Sequence, residues 1–210
     1  MLLGARDQAA RHVRVGDVLV DVDADAHLAL LFGGDQAAVS SVAADSEDDV
    51  GLLTEESDRL LKGWTVEIVA TDLNDHSVET AKAGVYGDYA LRTTADYFRR
   101  KYFSAVDEKK LQVLPEVKKM ITFSRLNLQE DSRMLFMKSM DLIFCCNVLI
   151  YFDGASKSKV INHFFSNLNF GGYFFLGTSE SLMKLNDQFR LIHFPGTIGY
   201  GKPSPGSGKV

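Results

Sequence analysis

From residue 66 onward the chain alternates between apolar runs and stretches with helical spacing. Residues 66–72, Val-Glu-Ile-Val-Ala-Thr-Asp, predict a strand ending in an acid. Residues 75–83 follow as a helix, with Asp75 or Ser77 as N-cap, completing one βα unit. Residues 84–89 read as a turn-rich link, 94–102 as an amphipathic helix, and 110–115 as a short strand opening a small antiparallel insert. Residues 120–128 supply the next sheet strand. The apolar run 142–146, bounded by Asp141 and Asn147, predicts a strand buried on both faces of a parallel sheet. Residues 156–168 carry a helical stripe of Val160, Ile161, Phe164, Phe165 and Leu168, and Gly171-Gly172 reads as its terminator. Another buried strand spans 173–176. Residues 189–194 and 197–200 flank Pro195-Gly196, a hairpin signal, so the sheet is expected to close with an antiparallel pair. The tail at 204–210 is expected to be disordered. The predicted class is α/β.

Composition changes this picture at the N-terminus. Residues 1–60 contain no Lys, Ile, Asn, Tyr or Trp, and Phe32 is their only aromatic residue. Their charge balance is −9, against +4 for the remainder and −5 for the whole chain. Within them, 17–22 reads as a strand, 28–32 as a second apolar run, and 44–50 as an acidic loop. Residues 1–62 are therefore set apart as a segment of uncertain fold, whether loosely ordered, fused, or translated in a shifted frame. Residues 63–203 form the expected main domain, with an insert at about 103–119.

The 210 residues suffice for one α/β domain with a real core. A mildly acidic chain without a Lys/Arg cluster gives no footprint for nucleic acid. No apolar run approaches the roughly 20 residues needed to span a bilayer, and a cytoplasmic chain without membrane insertion is expected. Cys145 and Cys146, the only cysteines, are adjacent, which suits neither a disulfide framework nor a metal set; they read as small buried residues. No His-x-x-His spacing suggests a metal, and no Ser/His/Asp or Cys/His arrangement suggests a nucleophile and base.

Candidate chemistry lies where strands end. In open α/β sheets the ligand crevice lies outside the carboxyl ends of the strands. Asp72 stands there either as an acceptor for ribose hydroxyls or as a helix-capping acid. Asn127 and Leu128, after the neighbouring strand, could hold an adenine, or Asn127 could be a turn residue. Asn147 and Tyr151 lie four apart; on a helix they would share one face above the crevice and could orient a carboxylate. Otherwise they are a cap and a half-buried aromatic. No Gly-x-Gly-x-x-Gly precedes Asp72, which argues against a nicotinamide enzyme.

Five segments in one order, Ala70-Thr-Asp-Leu-Asn74, Lys82-Ala-Gly-Val-Tyr86, Phe123-x-x-Leu-Asn-Leu128, residues 141–153 (Asp-Leu-Ile-Phe-Cys-Cys-Asn-Val-Leu-Ile-Tyr-Phe-Asp) and residues 171–181 (Gly-Gly-Tyr-Phe-Phe-Leu-Gly-Thr-Ser-Glu-Ser), resemble CheR-type chemotaxis receptor methyltransferases. The resemblance runs from about residue 64 to 203. It implies a Rossmann-like methyltransferase sheet and transfer of a methyl group from S-adenosylmethionine to glutamates on the cytoplasmic helices of chemotaxis receptors. By position it implies Asp72 at the ribose, Asn127 and Leu128 at the adenosine end, Cys146 and Asn147 near the methionine end, and Tyr151 near the transferred methyl. It also implies that the insert corresponds to a small β-subdomain which docks a receptor tail in some members; here the stretch 109–119 is Lys-rich and has no glycine.

Two departures stand out. The family's strand and loop of the kind Ser-Ala-Gly-Cys-x-x-Gly-Glu-Glu, and the helical domain supplying an active-site Arg, are not legible upstream. Phe32-Gly-Gly-Asp35 lacks the pattern, and Thr54-Glu-Glu56 sits too close to the following strand. Cys146 also stands where many members carry Arg. The alternative expectation is therefore a non-catalytic remnant or receptor-docking module, in which a central strand of the sheet would be missing.

Overall fold

The alternating burial of one strand shows how the sheet is covered. In the computed structural model, which describes residues 12–18 as backbone and 65–206 except 93, 95, 178, 195 and 196, the strand after Thr65 places Val69 in one apolar cluster and Ile68 and Ala70 in another. Side chains on a strand point alternately to its two faces, so both faces of this sheet are buried. In chain order the elements are β1 (His12–Val18), β2 (Thr65–Asp72), α1 (Asp75–Ala83), β3 (Val85–Gly87), α2 (Asp96–Tyr102), β4 (Phe103–Asp107) and β5 (Lys110–Val113). There follow α3 (Pro115–Lys118), β6 (Ile121–Arg125), α4 (Asp131–Met134), β7 (Met140–Cys145), a 3₁₀ turn (Leu149–Tyr151), α5 (Gly154–Asn167), β8 (Leu168–Leu176), β9 (Arg190–Phe194) and β10 (Thr197–Gly201). No helix among the described residues is long and apolar enough to cross a membrane.

Among the described residues seven strands form one sheet in the order β6-β2-β1-β7-β8-β10-β9. β6, β2, β1, β7 and β8 are parallel, and β10 runs antiparallel to both β8 and β9. This is the expected mixed α/β sheet, parallel with an antiparallel closing pair. A second sheet, β3-β5-β4, forms the small antiparallel insert. It begins earlier than expected: residues 85–87, read as part of a turn-rich link, pair with Lys110–Gln112 as β3.

The largest difference from expectation is β1. The run 17–22 is the more apolar, yet the strand occupies His12–Val18, and only Asp17 and Val18 are common to the two. Pairing seats residues 12–18, while residues 19–22 of the expected run lie outside the described residues. β1 lies in parallel register with β2 along its whole length, from His12↔Thr65 to Val18↔Thr71, and with β7 from Val15↔Leu142 to Asp17↔Phe144. The compositionally distinct N-terminal segment thus supplies an interior strand of the sheet, between β2 and β7. Residues 19–64, including the run 28–32, the acidic stretch 44–50, Phe32-Gly-Gly-Asp35 and Thr54-Glu-Glu56, lie outside the described residues, as do Pro195-Gly196 and the last four residues.

Smaller boundaries also move. Asn74, rather than Asp75 or Ser77, caps α1 by accepting from the His76 N–H. α2 starts at Asp96, because Thr94 is buried and its N–H closes a turn onto the Leu91 carbonyl. β6 ends at Arg125, where Leu126 turns its N–H to the Asp72 carbonyl. α5 begins at Gly154, one residue past its N-cap Asp153. Gly171-Gly172 does not end that helix: α5 passes directly into β8 at Leu168, and both glycines lie within the strand. Gly171 adopts φ 78° where the β7–β8 register shifts, and a Cβ on Gly172 would meet the Asp141 carbonyl oxygen at 2.8 Å.

Lys202 fastens this bend from the far side. Its backbone exchanges hydrogen bonds with Gly171 and Gly172. Its nearly buried ammonium donates to the carbonyls of Phe165 (2.6 Å) and Leu168 (2.7 Å) at the end of α5 and lies 4.7 Å from the Phe165 ring centroid. Burial holds its pKa below the ordinary lysine value. Removing the ammonium leaves both carbonyls without it, so Lys202→Met is expected to lower the free energy of unfolding by about 1–3 kcal/mol in urea titrations, with an unchanged m-value.

Candidate functional site

In this topology the chain steps outward from β1 to β2 and β6, then returns to the other side of β1 for β7 and β8. The strand order therefore reverses between β1 and β7, and in open α/β sheets the crevice at such a switch point is where ligands bind. The strands reach that edge nearly level: Val18 pairs with Thr71, Asp17 with Phe144, and one residue further on lie Asp72 and Cys145. Candidates read from sequence at strand ends are thereby gathered along one edge.

Asp72 closes β2 and is 6 % exposed. Its Oδ1 accepts from the Asn74 N–H at 2.6 Å, and Asn74 rather than Asp72 caps the helix, so of the two readings the capping one is set aside. Its carbonyl takes the Leu126 N–H, which ties the end of β2 to the segment bearing Asn127. Asn127 is exposed and its Oδ1 accepts from the Gln129 N–H at 3.0 Å, forming a turn. Leu128 differs: its side chain is 3 % exposed and packed in the core cluster with Val160 and Phe164, so it offers the crevice backbone rather than side chain.

Helix α5 supports this loop. A carbonyl only accepts, so His163 donates through Nδ1 to the Leu128 oxygen at 3.0 Å, while its Nε2 lies 2.9 Å from Asp131 Oδ1. Lys159 reaches both the Asp131 carboxylate (2.9 Å) and the Gln129 carbonyl (2.7 Å). The hydrogen bond from Lys159, followed by that from His163, holds the Asp131 carboxyl below its ordinary pKa.

On the other side of the switch point β7 ends at Cys145, which is fully buried; Cys146, just past the strand, is only half-buried. Neither forms a disulfide, and of the expected buried pair only Cys145 is fully buried. Asn147 is exposed with φ 59°, a left-handed conformation that Asn tolerates better than most residues. The chain does not enter an α-helix here. It makes the single 3₁₀ turn, so Asn147 and Tyr151 do not share a helical face, and Ile150 and Tyr151 are 54 % and 57 % exposed.

What fixes this loop is Glu180, to which the sequence pattern assigned no role. Its Oε2 accepts from the N–H groups of Asn147 (2.7 Å) and Gly177 (3.1 Å), and its Oε1 from those of Leu149 (2.8 Å) and Ile150 (3.3 Å). One carboxylate thus joins the loop after β7 to the end of β8. Gly177 permits the approach: a Cβ there would lie 2.7 Å from Asn147 Oδ1 and 3.0 Å from its backbone nitrogen. The signal available in sequence was an acid four residues past the end of a predicted strand. Asp153 then fixes the loop's far end by capping α5 through the Ser156 N–H at 2.8 Å, and that bond lowers its carboxyl pKa.

The arrangement is suited to binding and orienting a ligand rather than to acid–base or nucleophilic chemistry. It offers a buried carboxylate at one strand end, two exposed amide side chains, and an exposed phenol on a tethered turn, which suits a ligand with hydroxyl and polar groups at both ends. Two outcomes follow. Gly177→Ala should destabilise the chain by about 1–3 kcal/mol in thermal or urea melts, because the groups a methyl would displace are backbone and a tethered side chain. The Asp153 cap contributes fully above the ordinary carboxyl value of about 4 and is lost as pH falls through its lower folded value. Melts taken from pH 6 downward should therefore show an acid-side loss of stability that is smaller in Asp153→Asn, which keeps the acceptor without the charge.

This chain is similar in sequence to known proteins. The family model described as CheR methyltransferase, SAM binding domain, matches residues 51–198, starting upstream of the resemblance read from motifs and downstream of β1. Similar proteins include a chemotaxis protein methyltransferase of Vibrio parahaemolyticus, 41 % identical over 136 residues, covering 64 % of this chain and 49 % of the relative. Chemotaxis protein methyltransferase 2 of Vibrio cholerae is 31 % identical over 153 residues, covering 70 % and 53 %. That of Borreliella burgdorferi is 36 % identical over 119 residues, covering 57 % and 42 %. The chain spans about half the length of these relatives. The chain belongs to the CheR methyltransferase family, over that family's SAM-binding domain.

Proposed function

We propose that this chain acts in the cytoplasm as a protein-glutamate O-methyltransferase, using S-adenosylmethionine to esterify glutamates on the cytoplasmic helices of chemotaxis receptors. The observation that carries the reading is the seating of β1 between β2 and β7, which brings the ends of three parallel strands together at a switch point. The donor set fits the cofactor. Asp72 is a buried acceptor suited to ribose hydroxyls, Asn127 exposes an amide for the adenosine end, and Leu128 contributes backbone there. Cys146 and Asn147 flank the methionine end, with Cys146 acting through its main chain, and Tyr151 stands at the reacting methyl.

When bound, S-adenosylmethionine supplies a methyl group activated on a sulfonium. A glutamate side chain, with an ordinary pKa of about 4.3, is already an anion at neutral pH and needs no general base. One of its oxygens bonds to the methyl carbon as the sulfur–carbon bond breaks, giving the γ-methyl ester and S-adenosylhomocysteine with no proton to move. The protein's work is to position the carboxylate in line and exclude water, since charge disappears in the transition state. Such a site requires no triad.

One observation favours a second reading, a non-catalytic docking module. The sequence following Val18 contains no glycine before Gly33, so a Gly-rich cofactor loop does not follow β1. Calorimetric titration of the cooperatively folded chain with S-adenosylhomocysteine separates the two. The enzyme reading expects saturable binding that weakens roughly 10- to 100-fold in Asp72→Ala, the scale of hydrogen bonds to a charged group. No heat of binding at millimolar ligand would leave the docking reading.

A further inference from the structure

We propose that Glu180 is a positioning residue for methyl transfer, acting through the loop that carries Tyr151; the proposal rests on the methyltransferase reading above. A glutamate bound to one N–H group would be an ordinary turn contact. Glu180 binds four, from Asn147, Leu149, Ile150 and Gly177, and divides them so that each carboxylate oxygen serves two. Three belong to the short segment between the end of β7 and Tyr151. The side chains of Val148 and Leu149 seat that segment in the core; the residues on either side of them have no such anchor. Asn147 is in the left-handed region, the 3₁₀ turn is a single turn without a side-chain cap, and Ile150 and Tyr151 are both more than half exposed.

The internal bonds of the turn join the Tyr151 N–H to the Val148 carbonyl and the Phe152 N–H to the Leu149 carbonyl. They fix the turn's shape, and burial of Val148 and Leu149 holds it to the core. Its first N–H groups are taken by Glu180, whose own place is set by the turn from Gly177 to Glu180 at the end of β8. The phenol of Tyr151 is therefore registered against the sheet through a neighbouring strand. Asp72 and Asn127 lie on the other side of the switch point, where Asp72 accepts from the Asn74 N–H and Asn127 from the Gln129 N–H. Loss of the Glu180 carboxylate should thus separate the two halves of the site: ligand binding at the ribose persists while the reacting end drifts. Misplacement of about 1 Å is enough to cost on the order of 10²-fold in rate.

Glu180→Gln is the test, because it keeps one oxygen and the shape but sets an amide N–H₂ against two N–H donors. Amide exchange on the full chain reads the tether directly and needs no activity. Asn147, Leu149 and Ile150 should exchange roughly 10- to 100-fold faster in Glu180→Gln, with β7 unchanged. Unchanged protection would overturn the proposal. With a receptor cytoplasmic fragment as methyl acceptor, kcat should fall on the order of 10²-fold while the Kd for S-adenosylhomocysteine, whose methionine end lies at the loosened Asn147, weakens by less than about tenfold, and Glu180→Asp should restore part of the rate.

A cycle with Tyr151→Phe reads the route of the effect. If Glu180 acts through Tyr151, its replacement costs much less in the Tyr151→Phe background. Additive losses, or parallel loss of binding and rate, would mean a merely structural carboxylate and overturn the proposal. Failure of the unsubstituted chain to bind S-adenosylhomocysteine would instead remove the methyltransferase reading. The exchange experiment would then still decide whether Glu180 holds the loop.

Discussion

A parallel sheet cannot leave out an interior strand. β2 and β7 both present ladder groups toward the space between them, and in a sheet covered on both faces those N–H and C=O groups would have no water to turn to. β1 fills that space, bonded to β2 over seven residue pairs and to β7 over three. The geometry of the whole candidate site depends on that pairing. It separates Asp72 from Cys145 by one strand, creates the reversal in strand order, and brings the strand ends level. The sharp compositional break before residue 61 therefore does not coincide with a break in the sheet. Backbone pairing demands a strand of suitable length there and tolerates a wide choice of side chains.

The same reasoning explains what sequence could and could not disclose. Strong local signals came through. Residues 75–83 match α1 end to end, both faces of β7 contribute to the apolar clusters, and the closing antiparallel pair lies where expected. Each depends on periodicity or burial that a short window contains. The start of β1 at His12 did not come through, because His12 to Gly16 has a weak local strand signal and its place is set by partners more than 45 residues away in β2 and more than 120 away in β7. Gly171-Gly172 misled for a related reason. Glycines after a helical stripe usually mark a helix end, but here Gly172 is required by the close approach of the Asp141 carbonyl on the neighbouring strand.

The site was legible to the degree that its residues sit at strand ends. Asp72, Asn127 and Asn147 all lie where apolar runs stop, and a parallel sheet gathers such positions along one edge. Leu128 was legible as a position but not in orientation, since one apolar residue after a strand can face the crevice or the core. The helical relation between Asn147 and Tyr151 failed because no local signal announces a left-handed Asn followed by a single 3₁₀ turn. That geometry is set by Glu180, thirty residues downstream, and is a tertiary fact.

Two charged side chains do complementary work at opposite ends of β8. At its amino end, where α5 finishes and its last carbonyls lack helical partners, Lys202 places an ammonium on Phe165 and Leu168. At its carboxyl end, where the loop after β7 turns several N–H groups inward, Glu180 places a carboxylate on three of them and on the Gly177 N–H. In each case main-chain dipoles of one sign converge and a side chain of the matching charge closes them, which costs less than burying those groups with no partner. The consequences differ because of what each end carries. The Lys202 end holds only a helix-to-strand join, so its interaction bears on stability alone. The Glu180 end holds the loop with Asn147 and Tyr151, so an interaction of the same physical kind there also sets the geometry of the candidate reacting site.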